Sequence, residues 1–380
     1  MAQRVLDPNT SPARRYLQHL DVALLAATLT VSAIGVVMVY SATRTKLQLL
    51  GYDPHQYLKH QLVWVVLGVV ALIVCAAFDY HRFEEYGLLA YGAVLFGLLA
   101  VMSPVGSKAL GSQRWFQVGS FQLQPSAFAI FALILAMASV IRRYDGDITG
   151  PRLVVLLALG AVPVGLVAIQ PDLGTAITLG CVLGTMLVVA GVRGRYLAAV
   201  AVLVVVATVG GIHLGLLKHY QVQRLLAFVN QSGQQSGQAG YNLAQSKIAI
   251  GAGGMFGKGL FHGPQTNLQY VPEQQTDFIF TAVGEQLGFV GAATLLALFG
   301  VIVWRVWRIA QLAYDELGML LCAGVLGYIA FSVFQNAGMT MGIMPITGIP
   351  LPLVSYGGSS TIATFAAVGL VLNVGMRRYR

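Results

Sequence analysis

Apolar runs of membrane-spanning length recur along almost the whole chain, and they restrict its possible folds more than any other feature. A helix needs about 20 mostly apolar residues to cross a bilayer. We count about ten such runs, at residues 22–40, 59–77, 86–102, 127–141, 153–169, 174–190, 196–217, 278–309, 317–338 and 360–375. Only 10% of the 380 residues are charged, whereas a soluble domain has roughly a quarter. The sequence therefore predicts an all-α, polytopic integral membrane protein that forms one domain over residues 1–380.

The positions of the basic residues predict how the chain is oriented. If the N-terminal tail, residues 1–21, is cytoplasmic, the short loops on its side are rich in Arg, for example Arg142, Arg143 and Arg195. Because short loops rich in Lys and Arg stay on the cytoplasmic side, we expect both this tail and the C-terminal tail, residues 376–380, to be cytoplasmic. The net charge of +9 then follows from topology and does not indicate a nucleic-acid partner.

Three long segments lie on the outer side in this orientation, at residues 103–126, 218–276 and 339–359. The second is a large loop between the seventh and eighth predicted spans. Long segments in a compact protein are more often functional than accidental, so we expect the functional site on the outer face. The run 278–309 exceeds one perpendicular crossing, which predicts a short helix followed by a break near Gly288 and the crossing proper.

Several kinds of chemistry lack support in the sequence. Cys75, Cys181 and Cys322 each lie inside a predicted span, where they resemble buried apolar side chains rather than a disulfide framework. The sequence contains no Ser-x-x-Lys, Gly-x-Ser-x-Gly or His-Glu-x-x-His motif. Acyl-enzyme and zinc-hydrolase mechanisms therefore have no motif support.

Few acidic residues lie on the outer side, and this narrows the candidates for catalysis. Asp277 stands where a polar loop meets the apolar run 278–309. The position fits a carboxylate that interacts with the start of a helix. It fits equally a general base, because partial burial raises the pKa of a carboxylate. Asp172 follows Gln170 and Pro171 before another span, and it could cap that helix or orient a substrate or a cationic group.

Two outer cations are candidates for binding an anion. Arg114, beside aromatic residues in an outer segment, could snorkel at the membrane interface or bind a phosphate through its planar guanidinium. Lys258 lies in the glycine-rich run 251–259, whose small residues let backbone N–H groups point at an anion. The run does not match a Walker A loop, and a glycine-rich turn alone is a weak signal.

A set of motifs in these outer segments resembles the SEDS family (shape, elongation, division and sporulation), the RodA/FtsW-like membrane proteins. The matching stretches are Gly111-Ser-Gln-Arg-Trp-Phe116, Gln124-Pro-Ser126, Gln170-Pro-Asp-Leu-Gly-Thr-Ala176, Ile248-Ala-Ile-Gly-Ala-Gly-Gly254 with Gly257-Lys-Gly259, Pro272-Glu273 with Thr276-Asp-Phe-Ile-Phe280, and Gly348-Ile-Pro-Leu-Pro-Leu-Val-Ser-Tyr-Gly-Gly-Ser-Ser360. They follow the family order over nearly the whole chain, so the set is highly specific.

The resemblance implies a peptidoglycan glycosyltransferase of the bacterial inner membrane, active in cell-wall elongation or division. Its substrate would be lipid II, the undecaprenyl-diphosphate-linked disaccharide pentapeptide, which it would polymerise into β-1,4 glycan strands. The resemblance implies that Asp277 is catalytic and that the partner is a class B penicillin-binding protein, a transpeptidase. Residues expected to contact substrate are Arg114, Lys258, Lys247, Asp172, Gln124, Ser126 and Ser355. No metal ligands are assigned, and a divalent cation such as Mg²⁺ or Mn²⁺ is compatible with a diphosphate leaving group.

Four positions depart from the family pattern. Ala127 and Ile130 stand where the family usually has a Glu and, three residues later, a Lys. Because both members of a potential i,i+3 ion pair are absent together, we expect a compensated apolar replacement. Gln275 replaces a common His, and Gln286 replaces the second Glu of a Gly-Glu-Glu motif. Two other classes stay open: a flippase for lipid-linked precursor, and a non-catalytic scaffold for a penicillin-binding protein.

Overall fold

The fold is a bundle of long helices, and its connections at one end form a small sheet and several short helices. A computed structural model of the chain describes residues 18–104, 106–109, 112–119, 121–144, 148–213, 219–229 and 237–378. The elements are α1 (Val22–Leu49), α2 (Gln56–Ala77), α3 (Tyr80–Val101), β1 (Ser107–Ala109), β2 (Ser112–Val118), β3 (Phe121–Leu123), α4 (Pro125–Arg143), α5 (Gly150–Ile169), α6 (Leu173–Val189), α7 (Gly194–His213), α8 (His219–Val229), α9 (Gly237–Gly253), α10 (Pro264–Asn267), α11 (Ile279–Gln311), α12 (Glu316–Met341) and α13 (Gly358–Met376).

The long helices match the predicted spans. Among the described residues, nine helices are long and apolar enough to cross a membrane, and α6 is a shorter apolar helix. These nine and α6 coincide with the ten predicted runs, so the prediction of an all-α, multi-pass membrane protein is confirmed. Most of the N-terminal tail 1–21, the end of the predicted run 196–217 and the middle of the large loop lie outside the described residues.

A three-stranded antiparallel sheet occupies the segment 103–126, where the sequence predicted no strand. The strand order is β1-β2-β3. Ser107 pairs with Trp115, and Phe116 pairs with Leu123. The strands are so short that their alternation is hard to recognise in sequence, and only the pairing makes them evident. The sheet holds Arg114 over the end of the bundle.

The long helix α11 is broken at the predicted place. Gly288 has φ 65° and ψ −163° inside it, values that a residue with a Cβ rarely adopts. The break also brings backbone close to backbone, since a Cβ on Gly288 would lie 2.3 Å from the nitrogen of Gly257. The first part of α11 is thereby a separate short helix packed on the glycine-rich run, and the remainder crosses the bundle.

Burial divides the helices into a centre and a periphery. Helices α4, α12 and α13 are buried over most of their length, whereas α7 exposes an apolar surface. Apolar side chains that face outward suit contact with lipid. Close approach at the centre depends on small residues, because a Cβ on Gly68 of α2 would lie 2.4 Å from the ring of Phe365 on α13.

The opposite end of the bundle, where α4 ends, is closed by ionisable side chains. His81 has Nδ1 2.8 Å from Asp79 Oδ1 and Nε2 2.9 Å from Asp315 Oδ2. Arg142 Nη1 donates to Glu84 Oε2 at 2.7 Å. These contacts join the turns after α2 and α11 to α3 and α4, so this end is tied together while the other end remains open.

Candidate active site

A cavity of about 1170 Å³ opens at the end of the bundle that carries the small sheet. Charged and amide side chains from separate elements reach it, including Arg114, Gln124, Asp172, Arg224, Glu273 and Asp277. Pockets for a single small molecule usually measure about 300–1,000 Å³. The volume therefore leaves room for more than one saccharide unit.

Asp277 lies in the turn that precedes α11, and the neighbouring backbone is held from two sides. Asn336 of α12 donates through Nδ2 to the carbonyl of Asp277 at 2.8 Å and to the carbonyl of Ile349 at 2.7 Å. Ser355 donates through Oγ to the carbonyl of Thr276 at 2.5 Å. The carboxylate is thus presented to the cavity by a turn whose main chain is fixed to α12 and to the segment before α13.

The surroundings of Asp277 favour its protonated form more than water does. Burial raises the pKa of this carboxyl, Arg224 lowers it, Glu273 and Asp172 raise it, and Arg114 lowers it, with a result of about 6. A carboxylate with a pKa near 6 is a better proton acceptor than an ordinary Asp and is still ionised at neutral pH. The raised pKa is a property that a general base needs, and the catalytic role of Asp277 stays a prediction.

Arg224 of α8 is the cation that the sequence analysis missed. Gly348 separates it from Asp277: a Cβ there would lie 3.0 Å from Asp277 Oδ2 and 3.4 Å from Arg224 Nη1. Gly348 has φ +74°, which also favours glycine. Arg224 donates through Nη1 to the carbonyl of Thr347 at 3.2 Å. Its position inside the large loop was the available signal, but nothing local indicated which loop cation would face Asp277.

Arg114 and Asp172, two candidate residues from separate segments, lie close together. Arg114 donates through Nε to the carbonyl of Gln170 at 2.9 Å and through Nη2 to the carbonyl of Pro171, and its Nη1 lies 3.7 Å from Asp172 Oδ1. Asp172 also caps α6, since its Oδ1 accepts from the backbone N–H of Thr175 at 3.3 Å. Capping and orientation of a cation therefore occur at the same carboxylate.

Gln124 and Ser126 both contact the carboxylate of Asp172. Gln124 donates through Nε2 to Ser126 Oγ at 3.0 Å and to Asp172 Oδ2 at 3.2 Å. Ser126 donates through Oγ to the same Asp172 oxygen at 3.2 Å. Ser126 is buried and, unlike Gln124, does not line the cavity, so substrate contact by Ser126 stays a prediction. Ser355 is also buried, behind the turn of Asp277, and does not line the cavity. Its contacts suit positioning of the turn, and direct substrate contact by Ser355 stays a prediction.

Lys258 and Lys247 are exposed and do not line the cavity. The glycine-rich run beside Lys258 packs against the first part of α11: a Cβ on Gly253 would lie 2.0 Å from the carbonyl oxygen of Gly284, and one on Gly257 would lie 2.1 Å from that of Gln286. These close approaches explain the glycines without a bound anion. A role for either lysine in substrate binding stays a prediction.

Two of the departures from the family pattern, Gln286 and Gln275, make local hydrogen bonds. Gln286 is buried, and its Oε1 accepts from Ser41 Oγ at 2.6 Å and from the backbone N–H of Phe261 at 2.9 Å. An amide oxygen is sufficient for both bonds, so no charge is needed there. Gln275 contacts Glu273 Oε2 through Nε2 at 3.3 Å, and its carbonyl accepts from the backbone N–H of Tyr356 at 2.9 Å.

Ala127 and Ile130 lie one helical turn apart on α4, and both line the cavity. Ala127→Glu alone should lower the melting temperature of the purified protein more than Ala127→Glu combined with Ile130→Lys, because the double variant supplies the new charge with a partner at i,i+3. A difference of about 0.5–3 kcal/mol in unfolding free energy is the usual size of such coupling. Equal melting temperatures for the two variants would show that the positions are not coupled.

The described part of the chain contains no cluster of metal-ligating side chains. No group of three or more His, Cys, Asp or Glu side chains there lies close enough together to hold a metal ion. Three acids line the cavity, Asp172, Glu273 and Asp277, and Asp172 lies 3.7 Å from Arg114 Nη1. A divalent cation that accompanies a diphosphate stays a prediction.

The fold and the cavity define a multi-pass helical membrane protein whose cavity is lined by the carboxyl of Asp277 and the guanidinium groups of Arg114 and Arg224. A family model for the FtsW, RodA and SpoVE cell cycle proteins matches residues 21–380. The chain is 37% identical over 357 residues to stage V sporulation protein E of Bacillus subtilis, covering 93% of this chain and 96% of that protein. It is 35% identical over 363 residues to peptidoglycan glycosyltransferase MrdB of Escherichia coli K12, covering 95% and 94%. The chain belongs to the FtsW/RodA/SpoVE family.

Solved structures have the same fold. The rod shape determining protein RodA of Thermus thermophilus matches with a TM-score of 0.69 and 30% identity, over 95% of this chain and 98% of that chain. A chain from work on the structural coordination of polymerization and crosslinking by a peptidoglycan synthase complex matches with a TM-score of 0.78 and 30% identity, over 95% and 99% of the two chains.

Proposed function

We propose that this chain is a peptidoglycan glycosyltransferase that polymerises lipid II into β-1,4 glycan strands. The observation that carries the proposal is Asp277, whose raised pKa and neighbouring Arg224 provide a base and a cation in one cavity. The sequence relatives support it, since MrdB is named a peptidoglycan glycosyltransferase and a similar protein of Geobacter metallireducens is named a probable one, FtsW.

The side chains suit a direct displacement. Asp277 accepts the proton of the acceptor sugar's 4-hydroxyl, and this oxygen forms a bond to the anomeric carbon of the donor sugar. The bond from that carbon to the diphosphate oxygen breaks, and the diphosphate leaves with the electron pair. Arg224 and Arg114 stabilise the negative charge that develops on the leaving group. Because diphosphate is a good leaving group, one carboxylate is sufficient, unlike the pair that glycosidases use.

The cavity faces the extracytoplasmic side in the proposed topology, with both termini in the cytoplasm. Arg142 and Arg143 end α4, at the opposite end of the bundle from the cavity. The positive-inside rule then puts the cavity outside. In this orientation the polyprenyl tails of both substrates stay in the bilayer while their sugars enter the cavity.

The working partner is a class B penicillin-binding protein that crosslinks the new strand. Support comes from the similar chain solved within a peptidoglycan synthase complex that polymerises and crosslinks. The peripheral helices of this chain expose apolar surface that a transmembrane helix of a partner could contact.

Polymerisation in detergent separates the proposed function from its alternatives. The purified full-length protein, together with its penicillin-binding partner, is supplied with labelled lipid II, and products are separated by size. A glycosyltransferase yields a ladder of glycan strands without a sealed membrane. A flippase would instead need sealed vesicles and would deliver unpolymerised lipid, and a scaffold would yield no ladder, so either of these results would overturn the proposal.

The rate of polymerisation as a function of pH should have an acidic limb that is set by the pKa of Asp277. Since the base acts in its deprotonated form and has a pKa of about 6, the rate should rise as pH increases through about 6. The measurement is the initial rate at low lipid II concentration from about pH 5 to pH 8, which reports groups of the free enzyme. A rate that is flat over this range would remove Asp277 from the role of base.

A further inference from the structure

A buried chain of polar side chains lies behind the turn that carries Asp277. It begins at Glu285 in the first part of α11, whose side chain is 0% exposed. Glu285 Oε1 accepts from the backbone N–H of Gln265 at 2.7 Å, and Oε2 accepts from the backbone N–H of Thr266 at 2.9 Å. Oε2 also accepts from the hydroxyl of Thr266 at 2.6 Å. The carboxylate thus binds the start of α10, in the loop between the glycine-rich run and Asp277.

The chain continues from Thr266 to the immediate neighbours of Asp277. Gln274 donates through Nε2 to Thr266 Oγ1 at 3.1 Å and to Thr281 Oγ1 at 2.9 Å. Thr281 in turn donates through its hydroxyl to the carbonyl of Phe278 at 2.6 Å. The side chains of Thr266, Gln274 and Thr281 are at most 1% exposed. Gln274 and Phe278 flank the turn, so the contacts end at the residue next to Asp277.

Each hydrogen bond in this chain has a fixed direction. The hydroxyl of Thr266 has one proton and donates it to Glu285, so its oxygen must accept from Gln274. The hydroxyl of Thr281 donates its proton to Phe278, so it must also accept from Gln274. The amide of Gln274 can satisfy both hydroxyls only with its NH₂ group. The carboxylate of Glu285 therefore fixes the hydrogen-bond direction at Thr266, and the carbonyl of Phe278 fixes it at Thr281.

Gly263 shows how closely the loop is fitted to this carboxylate. A Cβ at Gly263 would lie 2.6 Å from Glu285 Oε2. No ion pair of Glu285 is present among the described residues, so its charge is balanced by N–H and O–H donors of the loop. A buried carboxylate without hydrogen-bond donors would destabilise the fold, so the loop strongly prefers the one position in which it supplies those donors.

We propose that Glu285, acting through Thr266 and Gln274, is a positioning residue that fixes the turn bearing Asp277 against α11. The inference rests on the proposed function, because positioning is defined relative to the base of the transfer reaction. It assigns to Glu285 a role in catalysis without contact to substrate. Displacement of a catalytic group by about 1 Å can lower a rate by about a hundredfold, so a modest loosening of this turn would be measurable.

The test compares Thr266→Val with Thr266→Ser in the full-length protein with its penicillin-binding partner. Valine has nearly the shape of threonine, but its side chain cannot bond Glu285 or Gln274, whereas serine keeps the hydroxyl. The backbone N–H of residue 266 still donates to Glu285 in both variants. We expect Thr266→Val to lower kcat for lipid II polymerisation about ten- to a hundredfold with KM changed less than about threefold. Its acidic pH limb should also move, since Asp277 would sit differently relative to Arg224 and Glu273. Thr266→Ser should restore most of the wild-type kcat and the wild-type limb.

Other outcomes overturn the inference. If Thr266→Val folds normally and has the kcat and pH limb of Thr266→Ser, the chain is structural only. If Thr266→Val lowers only the fraction of active protein and leaves the acidic limb of the pH–rate profile unchanged, the chain is likewise structural only. If Thr266→Val does not fold, Gln274→Met supplies the same comparison against the wild type. The proposed function is tested separately: absence of a ladder from the wild type overturns that function, whereas a wild-type ladder with a normal Thr266→Val rate overturns only the positioning role.

Discussion

Asp277→Asn should abolish the glycan ladder that the wild-type protein forms from lipid II. The substitution is nearly isosteric and keeps a side chain that can accept hydrogen bonds, but an amide does not take up a proton at neutral pH. General-base catalysis contributes about two to four orders of magnitude to a rate, and we expect a loss of that size. The backbone contact from Asn336 is to the carbonyl of residue 277 and survives the change. A ladder of wild-type length and rate from this variant would contradict the assignment.

Asp277→Asn should lose polymerisation activity without a decrease in the stability of the fold. The folded-state pKa of Asp277 is raised, mainly by burial, so the ionised form is disfavoured in the native state. Above about pH 6 the ionised carboxylate therefore lowers the free energy of unfolding of the wild type, and a neutral Asn avoids this loss. The loss becomes smaller as the pH falls below about 6, because the carboxyl is then protonated in the native state. We expect Asp277→Asn to melt at or above the wild-type temperature at pH 7, with the difference shrinking at lower pH. Glu316→Gln, an exposed acid at the opposite end of the bundle, is the matched control and should leave polymerisation unchanged.

Arg224→Ala should slow polymerisation by about one to three orders of magnitude, the usual effect of removing one charge stabiliser from a transition state. Arg224 lies beside Asp277 across Gly348, so its guanidinium is placed to meet a diphosphate leaving from the same point. The charge of Arg224 also lowers the pKa of Asp277. The alanine variant should therefore have its acidic limb at higher pH than the wild type, in addition to a lower rate at the plateau.

Lys258→Ala is the informative comparison for Arg224→Ala. The family resemblance makes Lys258 a candidate diphosphate ligand, whereas the structure has Lys258 exposed and outside the cavity lining. If the cavity is the site of transfer, the lysine variant should retain its rate within a few-fold and its acidic limb should not move. A large loss for Lys258→Ala together with a normal rate for Arg224→Ala would favour the assignment made from the glycine-rich run. Initial rates as a function of pH for both variants decide between the two cations.

Charge-neutral features of the site explain why departures from the family pattern are compatible with activity. Ala127 and Ile130 give the cavity an apolar wall on α4, distant in sequence from the turn of Asp277. Gln286 satisfies its partners with an amide oxygen. Neither change removes a cation or a base from the group formed by Asp277, Arg224 and Arg114, so the proposed reaction retains its components.

Local properties of the sequence were sufficient to predict the helices and several of their details. Each span depends on the hydropathy of about 20 consecutive residues, and this information is contained in the span itself. The break at Gly288 was predictable because the run 278–309 is too long for one perpendicular crossing and contains a glycine near its start. Asp277 was predictable as a candidate since it stands at the boundary between a polar loop and an apolar helix, and so was Asp172, which caps α6 as expected.

Only the tertiary structure decided which side chains meet. Arg224 and Asp277 belong to different elements, and their proximity depends on how α8 and the segment around Gly348 fold over the bundle. The same applies to Lys258, whose glycine-rich surroundings serve the packing of α11, and to Glu285, which reads in sequence as one more acid near a helix start. The reason is physical: hydropathy and backbone preference act over a few residues, whereas electrostatic contacts depend on distances between segments far apart in the chain.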